Sequence, residues 1–307
     1  MDFGSINPAL LVASIMISAT PILLAAIGEM VVEKSGVLNL GVEGMMITGA
    51  VVGFAVGVSF TSPALGFVAA AAGGAALSLV FAVLTQVLLS NQVATGLGLT
   101  LAGLGLSSLI GKPYEGIKSP TLPKLDIPVL SDLPVLGRML FSHDAMVYLS
   151  LLLVAGVWAF LKYTRAGLIL RAVGESHGSA HALGYKVVRI RVAAILFGGA
   201  CAGLGGAYLS LVRVPQWTEG MTAGAGWIAL AIVVFASWRA GRVALGAYLF
   251  GGITVLQLNL QAAGASVPVA LLSASPYLIP IIVLVIISAR GAHGAPASLG
   301  RSFHASS

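Results

Sequence analysis

"ATPILLAAIGEMVVEKSGVLNLGVEGMMITGA", residues 19–50, leaves one long apolar run, passes through Gly36, Asn39, Gly41, Glu43 and Gly44, and enters another. An amide and a carboxylate set among glycines in so apolar a stretch fit neither a soluble core nor a plain lipid-facing helix. The whole chain reads the same way. Of its 307 residues 58% are hydrophobic and 8% charged, against roughly a quarter charged in soluble domains, and the mean hydropathy is +1.02. The apolar runs are long, rich in Ala, Leu, Val and Gly, and lack the alternation of a membrane β-barrel. The composition predicts an all-α integral membrane protein.

Stretches of about 20 apolar residues fall near 9–30, 44–60, 64–89, 92–111, 144–161, 192–212, 222–238, 243–262 and 274–289. Gly36 to Gly44 reads as a break between spans or part of a re-entrant element, because unwound backbone survives at membrane depth only inside protein or beside water. The expectation is a polytopic bundle of about eight to ten helices in a single domain over 1–307. No Lys or Arg precedes Lys34, so the start lacks the basic region of a signal peptide and the first span is read as part of the mature chain. Lys34, Lys162, Arg165, Arg171, Lys186, Arg189, Arg191, Arg239, Arg242, Arg290 and Arg301 gather on one side, eleven against Lys112, Lys118, Lys124, Arg138 and Arg213 on the other. The positive-inside rule then puts 163–191 and the tail 290–307 in the cytoplasm and the amino terminus outside. This asymmetry accounts for the formal charge of +6 without nucleic-acid binding.

Outside, 112–143 carries Pro113, Pro120, Pro123, Pro128 and Pro134 with Asp126 and Asp132, a density that blocks a continuing helix and predicts an ordered loop or short helix over the pore mouth. The single cysteine, Cys201, permits no intramolecular disulfide. Gly49, Gly53 and Gly57 share a helix face, as do Gly199 and Gly203, and both sets read as close helix packing. Trp158, Trp217, Trp227 and Trp238 read as interfacial anchors, with Trp217 and Glu219 also placed to meet an outside partner.

Enzyme motifs fail on context. "GESHG", 174–178, matches a nucleophile elbow in letters, but that motif needs a strand before the serine, and here it lies in a basic loop. His177 and His181 share a face, yet Gly178 stands where a zinc motif needs glutamate. No phosphate-cradling Gly-x-x-x-x-Gly-Lys-Ser/Thr occurs, so ATP and its magnesium would have to be held by another chain. The segment Thr164–Ala194 is too long for a turn. Its centre predicts a short helix begun by Glu175 and Ser176 and stopped at Gly184, flanked by Arg171, Lys186, Arg189 and Arg191 at the headgroups. A docking knob and an ordinary basic loop both fit.

Residues 19–50, "LRAVGESHGSAHALGYKV" (170–187) and "GWIALAIVVFASWRAGRVALGAYLFG" (226–251) resemble permease subunits of ATP-binding-cassette importers in the branched-chain amino acid and simple-sugar permease superfamily. Within it they look most like the shorter permease of bacterial nucleoside importers. The resemblance implies a type II importer permease fold in the bacterial inner membrane and no enzyme activity of its own. It also implies three protein partners: a second permease, here a longer paralogue, an ABC ATPase, and a periplasmic or lipoprotein substrate-binding protein. The cargo would be a nucleoside, with a simple sugar or branched-chain amino acid as the alternative. By the same likeness, Gly174, Glu175, Ser176, His177, Ala180, His181, Leu183 and Gly184 form the coupling element that seats in an ATPase groove.

Asn39 and Glu43 are spaced to share a helix face, and burying a charge at the bilayer centre costs at least about 2.5–3.5 kcal/mol. They are expected to line or brace the translocation pathway, or to hold the broken helix against its neighbour as a buried pair. Asn91 and Gln92, with Thr95, are further pathway candidates, as are Gln257, Asn259 and Gln261. An ion-coupled secondary transporter would show internal repeats with a broken helix in each half, and no second copy of "GVLNLGVEG" is found.

Overall fold

The computed structural model describes residues 8–126, 139–262, 268–289 and 294–304. Pro128, Asp132, Pro134, Arg138 and Arg290 lie outside the described residues. The helices are α1 (Pro8–Lys34), α2 (Val42–Ser59), α3 (Pro63–Ala82), α4 (Gln92–Gly111), α5 (Ala145–Tyr163), α6 (Arg165–Glu175), α7 (His177–Ala182), α8 (Val187–Tyr208), α9 (Ala225–Phe235), α10 (Ala240–Ala262) and α11 (Val269–Ala289). Single π-turns extend α3 over Val83–Val87 and α8 over Leu209–Arg213. Among the described residues seven helices are long and apolar enough to cross a membrane, and α11 adds 21 residues.

One expected span is not a helix throughout. The stretch read as 222–238 contains only the 11 residues of α9, about 16 Å of helix against a hydrocarbon core of about 30 Å. Because α8 and α10 are full-length neighbours on either side of it in the chain, the loop 214–224 must cover the other half of the depth. The described part of the outer loop is ordered by short strand pairings. Its strands β1 (Lys124–Asp126) and β2 (Ser142–Asp144) pair antiparallel, and Glu115 and Lys118 bridge to Trp217 and Gln216. The loop is thereby tied to the segment that descends toward α9.

Helix α1 is buried without interruption from Ser18 to Glu33, as expected of a helix apolar on every side, and it packs on α8, α10, α9 and α5. The glycine faces bring α2, α3 and α8 to backbone contact. A Cβ on Gly49 would stand 2.3 Å from the Gly203 Cα, one on Gly203 would stand 2.2 Å from the Ala70 carbonyl oxygen, and one on Gly199 would strike the Ser78 side chain. Gly53 and Gly57 face Ala70, Ala207 and Leu211 in the same seam. In lipid the hydrophobic effect does not drive helices together, so this close approach supplies the van der Waals contact that holds them. On α4, by contrast, Leu101 and Leu109 point outward, a surface suited to lipid or another subunit.

Gly203→Val is expected to cost about 3 kcal/mol by overpacking, whereas Gly98→Ala, with nothing within 4 Å of its new Cβ, should be neutral or slightly stabilising. Thermal unfolding of the two variants in detergent checks the contrast.

Candidate functional site

The loop 214–224 ends with Ala223 at φ 46° and Gly224 at φ 84°, a left-handed turn that aims the chain into α9. Glu43, on the first turn of α2, receives it. Its Oε1 accepts hydrogen bonds from Thr222 Oγ1 at 2.5 Å and the Gly224 N–H at 2.9 Å, and its Oε2 accepts from the Gly226 N–H at 2.6 Å. A helix start presents unpaired amides and partial positive charge, so the carboxylate both caps α9 and is itself neutralised by it. The approach requires glycine, since a Cβ at Gly226 would lie 2.5 Å from the Glu43 nitrogen.

Residues 35–41 are stitched in place by side chains from distant helices. Asn39 is fully buried, with Oδ1 accepting from the Gly41 N–H at 3.0 Å and Nδ2 directed at Met45 Sδ. Gln92 Oε1 accepts from the Leu38 N–H at 2.8 Å, and Thr100 Oγ1 donates to the Leu40 carbonyl at 3.2 Å. These bonds replace the water that an unwound backbone would otherwise need. Asn91 is a helix cap, accepting from the Ala94 N–H. The structure thus joins Asn39, Gln92 and the break into one network, and leaves Asn91 apart.

A cavity of about 440 Å³ opens against the other side of the descending loop, between Pro21 of α1, Arg213, Thr222, Gln257 of α10, and Ser273 and Tyr277 of α11. None of Asn39, Glu43, Asn91 and Gln92 lines it. Glu43 reaches the cavity at one remove, through the Thr222 hydroxyl. Gln257 does line it and donates to Ser273 Oγ at 3.4 Å, while Asn259 Nδ2 donates to the Val255 carbonyl of its own helix.

At the basic end, α6 and α7 form an elbow. Ser176 is the N-cap of α7, accepting from the Ser179 N–H at 3.3 Å, and Gly184 turns the chain at φ 85°. Glu175, Ser176, His181, Leu183 and Gly184 are exposed, while Gly174 and Ala180 are buried and His177 is intermediate. A Cβ on Gly174 would stand 2.1 Å from the Lys34 carbonyl oxygen, so the elbow rests directly on the end of α1. Burial and the nearby Arg191, Arg301 and His304 charges lower the His177 pKa. Arg191 Nη2 lies 3.2 Å from His177 Nδ1, and because a guanidinium only donates, Nδ1 must accept.

The sequence profile for the branched-chain amino acid transport system permease component matches residues 11–288. The chain belongs to this family. It is 45% identical over 248 residues to a protein of Haloferax volcanii named as a glucose ABC transporter permease, TsgC13, covering 80% of this chain and 75% of that one. It is 32% identical to the guanosine ABC transporter permease NupQ of Bacillus subtilis, covering 90% and 91%. It is also 31% identical to the nucleoside ABC transporter permease NupC of Lactococcus lactis, covering 90% and 92%. No solved structure matches. The protein is therefore a multi-pass ABC permease subunit, a class that carries no enzyme activity of its own.

Several side chains of the permease sit where the sequence pattern alone did not put them. Arg191, read as a headgroup contact, is fully buried, with Nε donating to the Ser35 carbonyl at 3.2 Å and Nη1 to the Arg301 carbonyl at 3.0 Å. Trp238, read as an anchor, is buried with its indole N–H on Glu33 Oε2. Trp217 is buried too, against Gly111, whereas Trp158 and Trp227 are half-exposed. Glu29 and Glu33, one turn apart on α1, are buried acidic side chains that no sequence motif marks. The spacing of Arg191 with Val187, Ala194 and Ile195 on one helix face was the available signal for its burial.

Glu43→Gln leaves an amide NH₂ facing backbone donors and is expected to destabilise the permease by about 2 kcal/mol, the scale of a lost charge-assisted hydrogen bond. Thr222→Val, which removes one donor, should cost about 1 kcal/mol. Unfolding midpoints in detergent measure both, and a fully stable Glu43→Gln protein would contradict the capping role.

Proposed function

We propose that this subunit passes a neutral, hydroxyl-rich solute, a hexose or a nucleoside, across the cytoplasmic membrane into the cell. It would work with a second permease, an ABC ATPase that holds ATP and magnesium, and a substrate-binding protein. The observation that carries the reading is the cavity beside the descending loop and α9. Its polar lining is mainly hydroxyls and amides, from Thr218, Thr222, Thr254, Gln257, Ser273 and Tyr277, groups that both donate to and accept from sugar hydroxyls. Phe250 and Tyr277, edge to face at 5.7 Å, add an aromatic wall. Among the described residues no carboxylate lines this cavity, so within that lining a zwitterionic amino acid would find a partner for its carboxylate in Arg213 and no carboxylate for its ammonium.

The relative named for glucose and those named for guanosine or nucleosides share a hydroxyl-bearing sugar ring in their named cargo, and this supports the class above either single member. The basic asymmetry favours the elbow end as cytoplasmic and the amino terminus as outside. The exposed α7, carried on an elbow whose α6 arm rests on the end of α1 at Gly174, has the placement of an ATPase docking knob.

Uptake of labelled glucose and labelled guanosine by cells expressing the complete transporter tests the class. One of the two should accumulate, and only when the ATPase is present. Accumulation of leucine with neither of these would overturn the reading. Leu183→Glu, at an exposed position of the knob, is expected to strip the ATPase from the complex purified in mild detergent.

A further inference from the structure

Residues 294–304 touch four separated parts of the basic end. Gly294 lies against the α9–α10 turn at Ser237, and its carbonyl accepts from Lys34 Nζ at 3.2 Å. The Ser298 N–H donates to the Gly174 carbonyl at 2.9 Å, while its hydroxyl stands 3.3 Å from the Glu175 carbonyl and 3.4 Å from the His177 N–H. The Gly300 N–H donates to the Gly36 carbonyl at 3.2 Å. The Arg301 carbonyl accepts from Arg191, whose Nε also holds the Ser35 carbonyl. Phe303 is buried with Val173, Ala180 and Val187, its ring edge to face with His177 at 5.4 Å and His181 at 5.2 Å.

A six-residue helix does not hold itself together in water, and α7 has only Ala180 to bury. Phe303 joins Val173 and Val187 in the small core beneath it. The same short segment bonds to Gly36 in the break, which runs on through Asn39 to Glu43 and the start of α9. Arg191 closes the loop, because one guanidinium reaches Ser35 in the break, His177 on α7 and Arg301 in the tail.

We propose that segment 294–304 is a latch that joins α7 to the break at Gly36, so that a displacement of α7 by a docked ATPase moves the break and, through Glu43, the cap of α9. Phe303, Ser298 and Arg191 are its positioning residues. The proposal rests on α7 being the docking knob. Without the latch the knob would still bind its partner, but its motion would be spent within a loosely held elbow.

The test uses the whole complex carrying either a permease that ends at residue 293 or the full-length Phe303→Ala variant, which guards against misfolding of the truncated chain. Both are expected to retain the ATPase and its basal hydrolysis. Solute accumulated per ATP hydrolysed should fall roughly tenfold, an ordinary coupling energy, amide exchange over residues 35–41 should rise, and Phe303→Leu should restore coupling. Wild-type coupling with unchanged exchange in both variants would overturn the latch, as would loss of the ATPase from the Phe303→Ala complex. If Leu183→Glu keeps its ATPase, the docking reading fails instead, whatever the tail variants do.

Discussion

The carboxylate of Glu43 holds the start of a half-length helix, and the arrangement of the membrane interior follows from that contact. Neither partner is stable at this depth alone. A bare carboxylate within a bilayer is costly, and a helix start with unpaired amides has no water to meet them. Together they cancel: the Thr222 hydroxyl and two backbone N–H groups satisfy both oxygens. The contact fixes where α9 begins, hence how far the loop 214–224 must descend, hence the wall of the cavity between α1, α10 and α11. Thr222 belongs to both, bonding Glu43 while lining the cavity, so the solute-facing surface and the cap are parts of one structure.

Arg191 plays the corresponding role at the basic end. No carboxylate is bonded to it among the described residues. Its donors instead go to the backbone carbonyls of Ser35 and Arg301 and to His177 Nδ1, with Gln86 Oε1 at 3.5 Å. A planar fork with five donors suits this better than an ammonium, because it addresses several elements at once. The result is that the end of α1, the elbow and the tail share one hub, and that the break between α1 and α2 is gripped at both ends, by Arg191 at Ser35 and by Gln92 and Thr100 further on.

Much of this was legible. The glycine repeats at Gly49 and Gly203 mark helix faces because only backbone approach makes so many glycines useful in a helix, and the structure has them in contact. Ser176 and Gly184 mark the start and stop of α7 because capping is local chemistry. The half-length α9 was not legible. Residues 222–238 are as apolar as a full span, and hydropathy does not distinguish a helix from a loop that is buried in protein. Trp238 was misread for a related reason: a tryptophan near the end of a span is usually an interfacial anchor, and only a buried carboxylate from α1 makes it a hydrogen-bond donor in the core.

Membrane residence, helical spans, the identity of the basic loops, and the need of an amide and a carboxylate between the first two spans for polar partners can all be read from the residues in order. Those properties follow from transfer free energies and local propensities, which depend on neighbours in the chain. The meeting of Glu43 with α9 at Gly226, 183 residues away, the inward turn of Arg191 and the packing of the tail beneath α7 emerge with the folded chain. Each of these is a pairing of distant groups whose energy comes from mutual desolvation and hydrogen bonding, and no local pattern encodes which distant partner will arrive.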